Sequence, residues 1–153
     1  MSAPAISHLI CTTALVMLIF VMPFFYSIVL DNIRVDMLRK ELKEIADYVS
    51  NTLANLYFLV NSTENTNVSM EKSLKYLPTA VEDSVFILKI VGSGVNATKI
   101  TTYLKDGPSV AADAWLSPGL KLGAQNTVES GSRTVSAGCT RNSTGVYAWI
   151  KYA

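Results

Sequence analysis

The order of apolar and polar positions divides the chain into stretches of different period. From Leu9 to Leu30 there are 22 residues without Asp, Glu, Lys or Arg. About 20 such residues at 1.5 Å rise cross the ~30 Å hydrocarbon core of a bilayer. Residues 9–30 are therefore predicted as an apolar transmembrane or filament-core helix behind a short lead at 1–8. Pro23 lies inside it. It offers no N–H to the Ile19 carbonyl and its ring clashes there, which predicts a helix kink. Phe24, Phe25 and Tyr26 suit a membrane interface. From Asp31 the polarity rises while the helical period persists. Leu38, Leu42, Ile45, Val49, Leu53, Leu56 and Val60 recur at steps of four and three, which predicts an amphipathic helix over 31–60. Asp36, Arg39, Lys40, Lys43, Glu44 and Asp47 fill its other face, partly as i,i+4 pairs. No Gly or Pro interrupts 31–60, so one helix is expected to run on from the apolar stretch.

The pattern then shifts. Residues 61–76 read as a glycosylatable linker. Beyond it, strands are predicted at Ser84–Val91, Lys99–Leu104, Leu120–Ala124, Thr127–Val128, Arg133–Ala137 and Gly145–Tyr152, with turns such as 92–94 and 105–108 between them. Five to seven short strands suggest a small antiparallel β-sandwich-like extracytoplasmic domain over 77–153. The fold class is α+β, a long N-terminal helix followed by that domain. About 80 residues make only a modest core, so packing on the helix is expected to help. The helical stripe must meet its own β domain or a neighbouring copy. Its first half, Leu38, Leu42, Ile45 and Val49, lies next to the apolar stretch and is read as a helix–helix assembly surface beyond the reach of the β domain. On that reading Ile45→Asp leaves the β domain folded and abolishes assembly.

Composition narrows the function. Half of the 153 residues are hydrophobic and all the Lys, Arg, Asp and Glu lie at or beyond Asp31, which excludes a disordered chain and a simple cytosolic globule. A net charge of +1 supplies no basic excess for nucleic acid. Two Cys, one of them inside the apolar stretch, make no disulfide-stapled fold. A cleaved signal peptide fits poorly, because no basic segment precedes the apolar run and no Ala-x-Ala site follows it.

Asn61, Asn67, Asn96 and Asn142 each begin an N-x-[ST] sequon, the acceptor pattern for N-glycosylation in an exposed loop. With nine Asn and 28 Ser or Thr in 153 residues, chance predicts about one or two. Their placement after residue 60 favours an external C-terminal part. The positive-inside rule points the other way, through Arg34, Arg39, Lys40 and Lys43. These alternate with acids on a helix that has its own use for charge, so the outside placement is preferred. His8 reads as an interfacial polar residue and Cys11 as inert. Cys139 reads as a buried small residue, with an intermolecular disulfide as the alternative. Gly92-Ser93-Gly94 opens no helix and so is no phosphate loop, and Glu82-Asp83 reads as a solvated turn. No nucleophile–base pair or metal cluster emerges. Neither catalysis nor a cofactor nor a metal is expected.

Three local features, with the helix–helix–β order, carry a family resemblance. Ala5-Ile6-Ser7-His8-Leu9-Ile10 is similar to the start of archaellum stator-type accessory proteins. Pro23 lies near the kink of many pilin helices. Tyr76-Leu77-Pro78 and the run to Ile87 resemble the Leu-Pro approach to a first strand in pilin-like secreted domains. The chain thus resembles the archaeal type IV filament superfamily of pilins, archaellins and accessory proteins. Met1–Ala5 departs from that pattern in carrying no charged leader, which implies an unprocessed accessory protein or a sequence given after processing. The resemblance implies a non-enzymatic cell-surface structural protein, a pilin-like or archaellum-associated subunit assembling through its N-terminal helix. Its expected partners are further copies in an oligomer or filament, the membrane and the surface layer, and no nucleic acid. The alternative is a single-pass anchored binding or sensor-accessory domain.

Overall fold

A computed structural model describes residues 3–131 and 133–153. The elements run in the order α1 (Ala3–Ser62), β1 (Val68–Ser73), β2 (Phe86–Ser93), β3 (Asn96–Leu104), β4 (Ala111–Trp115), β5 (Leu120–Leu122), β6 (Thr127–Glu129), β7 (Val135–Asn142) and β8 (Gly145–Tyr152). The chain forms two compact units that divide between Met37 and Leu38, within α1.

Among the described residues the first unit is helix alone. The predicted lead at 1–8 is already helical from Ala3, and Met1 and Ser2 lie outside the described residues. Thr12 and Thr13 turn their hydroxyls back onto the carbonyls of His8 and Leu9 at 2.8 Å, so neither presents a bare hydroxyl to its surroundings. The helix is assigned without interruption through Pro23, which leaves the Ile19 carbonyl without its usual donor.

The second unit combines the rest of α1 with the strands, giving an α+β fold. Hydrogen bonding joins all eight strands into one mostly antiparallel sheet of order β1-β7-β8-β5-β3-β2-β6, with β4 beside β3. The expected sandwich is thus a single sheet with a helix on its apolar face. Hairpins set most of the register: Ser93 faces Asn96 between β2 and β3, and Asn142 faces Gly145 between β7 and β8. One pair is parallel, β5 with β8, where Leu120 faces Val146. All eight Gly lie at or after residue 92. At the β-bulge of β2, a Cβ on Gly92 would stand 2.2 Å from the Asn96 carbonyl oxygen, so only Gly lets the two strands approach there.

Two strands arise where none was predicted. β1 occupies Val68–Ser73, inside the stretch read as a linker, and pairs with β7 along its whole length. β4 occupies Ala111–Trp115 on β3. The β domain therefore begins before residue 77, and the compact unit that contains it begins at Leu38.

The core corrects the largest expectation about the helix. Leu38 (8% exposed), Leu42 (0%), Ile45 (6%) and Val49 (0%) are buried in the chain's own core with Leu53, Leu56 and Val60. They are not a free assembly surface. The reason is the sheet. One of its faces carries Phe86, Leu88, Ile90, Ile100, Leu120 and Ile150, all fully buried, and β4, on the margin of β3, reaches the helix near Lys43 and Ser50. Lys43 Nζ donates to the Asp113 carbonyl at 2.7 Å, and Ser50 Oγ donates to the Trp115 carbonyl at 2.6 Å. At the far end Arg141 Nη1 donates to the carbonyls of Val60, Asn61 and Thr63 at 3.3, 3.1 and 2.6 Å. A guanidinium thus satisfies carbonyls that the helix terminus leaves open. Each fully buried Leu or Val contributes about 1.5–3 kcal/mol.

Among the described residues, one core position is polar without a partner. Thr102 is fully buried on β3 and its hydroxyl makes no hydrogen bond among the described residues. Thr102→Val keeps the shape and removes the orphaned group, so stability is expected to rise by about 1–2 kcal/mol. A urea melt at unchanged slope checks this, and a lower midpoint would show that the hydroxyl has a partner.

Candidate functional site

The most prominent surface of the first unit is apolar. From Pro4 to Met37 every residue except Val35 is exposed. Phe20 and Phe24 are 68% and 72% exposed, and Leu9, Leu15, Ile19, Val21 and Ile28 are exposed too. The segment is long and apolar enough to cross a membrane. Exposed apolar surface on this scale marks association with lipid or protein. His8 and Cys11 lie on it and are exposed.

The predicted site residues separate. The assembly stripe is interior, as described. Asn61, Asn67, Asn96 and Asn142 are all exposed, at the end of α1, before β1, at the start of β3 and at the β7–β8 turn. Cys139 is buried. Burial pushes its thiol up to about 12, and Sγ lies 3.7 Å from the Leu53 carbonyl, so it is an inert core residue and not a disulfide partner. Glu82 and Asp83 occupy a tight turn with φ of 44° and 62°, closed by backbone bonds between Val81 and Ser84. No group of three or more His, Cys, Asp or Glu among the described residues is placed to hold a metal ion.

Concave surfaces of the second unit went unread in the sequence, two of them lined by aromatic side chains beside charged ones. The first, about 370 Å³, lies between α1 and the segment before β2, lined by Glu41, Glu44, Tyr48, Tyr76 and Val81. Tyr48 and Tyr76 meet edge to face there, 6.5 Å between centroids. The second, about 410 Å³, lies on the outer face of the sheet. Alternation along β8 sends Val146, Ala148 and Ile150 inward and leaves Tyr147, Trp149 and Lys151 half-buried on the other side. Trp149 lies over Gly138, where a Cβ would come within 2.2 Å of its ring. Its Nε1 donates to Thr140 Oγ1 at 2.9 Å. Lys151 Nζ stands 4.6 Å from the Trp149 ring centroid and pairs with Glu71 at 3.0 Å. Lys121 donates to the Thr144 carbonyl and stands 5.7 Å from the Tyr147 centroid. Asn142 and Gln125 complete the wall. The sequence signal is present in the period-2 run 145–152, but the approach of Gln125 depends on a long-range backbone bond, Ile150 N donating to its carbonyl at 2.9 Å.

A small ionic cluster ties β3 to β4. Lys99 Nζ and Thr101 Oγ1 each donate to the Asp113 carboxylate at 2.6 Å, and they hold its pKa below the ordinary 3.8. A depressed carboxylate pKa adds stability that is full above the unfolded value and is lost as pH falls through the folded one. Asp113 is 43% exposed, so the contribution is screened and small. Following the Asp113 carboxyl carbon by NMR should give a midpoint below 3.8, and Lys99→Ala should raise it. A midpoint indifferent to Lys99 would contradict this account.

Comparison with protein-family models, with curated proteins and with solved structures gave no match.

Proposed function

We propose that this chain is a non-enzymatic cell-surface structural protein, a pilin-like or archaellum-associated subunit. Residues 6–37 hold it in the membrane or among the N-terminal helices of neighbouring copies, and residues 38–153 form its external domain. The observation that carries this reading is the change along α1 from exposed to buried apolar side chains at Met37–Leu38. Up to Met37 the apolar surface has no cover within its own unit, and association is the physical means of covering it. Beyond Met37 the apolar stripe of the helix needs no partner, because the sheet buries it. The assembling surface is therefore the apolar segment and not the stripe at 38–49. Four exposed sequons support the outside placement, with the surface layer as a further neighbour.

Shearing cells and probing the released material for this chain tests the proposal. The chain is expected in sheared filaments, with residues 38–153 open to protease on intact cells. A chain left wholly in membranes as a monomer would overturn the subunit reading and leave an anchored binding domain.

A further inference from the structure

We infer that the groove on the outer face of β7 and β8, closed on one side by residues 123–125, is the seat of an N-linked glycan carried by Asn142. The inference rests on the outward placement of the domain proposed above. Asn142 is at once the acceptor of the sequon Asn142-Ser143-Thr144 and part of the wall of the groove. Its Oδ1 accepts from Thr144 N at 3.0 Å and from Thr144 Oγ1 at 2.7 Å. Thr144 Oγ1 also shares a hydrogen bond with the Tyr147 hydroxyl at 2.9 Å. Asn142 is thereby tied through its oxygen to the first aromatic ring of the groove, while its Nδ2 makes no hydrogen bond among the described residues. Asn142, Thr140 and Gly138 alternate on one face of β7 beside Tyr147 and Trp149 of β8. A saccharide attached at Nδ2 therefore begins next to Tyr147 and meets Trp149 as it extends along the strand.

The chemistry of the wall suits a sugar. Aromatic rings take the apolar C–H faces of a pyranose, while an amide and an ammonium at their margin serve its hydroxyls. Tyr147 and the part of the half-buried Trp149 ring that Lys151 leaves uncovered supply the first, and Gln125 and the N–H donors of Lys151 not taken by Glu71 supply the second. The groove of about 410 Å³ lies within the range of small-ligand sites. The covalent tether keeps the first sugars at a high effective concentration, so a weak stacking contact is enough to hold them. Attachment itself is a group transfer by an external transferase from an oligosaccharide on a lipid phosphate. Asn142 Nδ2 bonds to the anomeric C1 as the C1–O bond to phosphate breaks. The electron pair leaves with the lipid phosphate, one Nδ2 proton passes to a base of the transferase, and nothing is oxidised or reduced.

The test uses the full chain purified from the cells that make it. Glycopeptide mass analysis is expected to find a saccharide on Asn142. Trp149 reports the seat once Trp115, the other Trp and 77% exposed, is replaced in Trp115→Phe. In that background Asn142→Gln removes the glycan and is expected to raise acrylamide quenching of Trp149 by about twofold, because the ring loses its cover. Thr144→Ser keeps the sequon and the hydroxyl and should quench like the parent. A bare Asn142 in a chain glycosylated at other sequons, or protease-sensitive on intact cells, overturns this inference and leaves the outward placement standing. A glycan on Asn142 with unchanged quenching in Asn142→Gln also overturns it, since the saccharide then extends into solvent. No glycan at any sequon and a domain protected from protease would overturn both.

Discussion

Ile45→Asp is expected to unfold the C-terminal domain of the full chain. Ile45 is 6% exposed and sits in one core with Leu42, Val49 and the apolar face of the sheet. A carboxylate there has Glu41 and Glu44 as neighbours on the wall of the adjoining groove, which no Lys or Arg lines among the described residues, so it is buried without compensation. Such a change costs about 3–5 kcal/mol, a large share of the 5–15 kcal/mol typical of a domain. A urea melt of the full chain in detergent should show the midpoint falling steeply. Assembly would also be lost, but as a consequence of unfolding. Loss of assembly with an unchanged melt would restore the stripe at 38–49 as a contact between copies.

The complementary change lies before Met37. Leu15→Arg combined with Ile19→Arg places two charges on side chains that are 59% and 60% exposed. Each arginine costs about 2.5–3.5 kcal/mol at the centre of a membrane helix, and it meets a like cost between packed apolar helices. The melt of residues 38–153 should be unchanged, since none of its core residues is touched. The chain should disappear from the membrane pellet and from sheared filaments. A double variant that remains in both fractions at the wild-type level would show that residues 6–37 are not the attachment surface.

These two variants mark what the sequence could and could not disclose. The period of Leu38, Leu42, Ile45, Val49, Leu53, Leu56 and Val60 predicts a helix with one apolar face, and that helix is present. A period names no partner, however. The same stripe serves a neighbouring helix or a sheet, and only the position of the sheet decides. β4 was itself invisible, because Ala111-Ala112-Asp113-Ala114 carries residues of low strand preference and is held by its pairing with β3. β1 was hidden likewise: Glu71-Lys72 and the flanking sequon made an edge strand look like a linker. By contrast β2, β3 and β8 were legible, since Val, Ile and aromatic residues alternate there between tight turns. The groove at Asn142 was half legible. Period 2 places Tyr147 with Trp149, while Lys121 reaches Tyr147 through the parallel β5–β8 contact and Gln125 reaches β8 through the bond from Ile150 N to its carbonyl at 2.9 Å.

The central claim is that α1 changes role at Met37–Leu38, with attachment before it and a self-sufficient domain after it. The most direct measurement is sedimentation equilibrium with a thermal melt on residues 38–153 produced alone. The account predicts a soluble monomer with one cooperative unfolding transition, since every apolar residue of the stripe is already buried within this unit. A chain that self-associates through the helix, or that has no cooperative transition until residues 1–37 are restored, would contradict it.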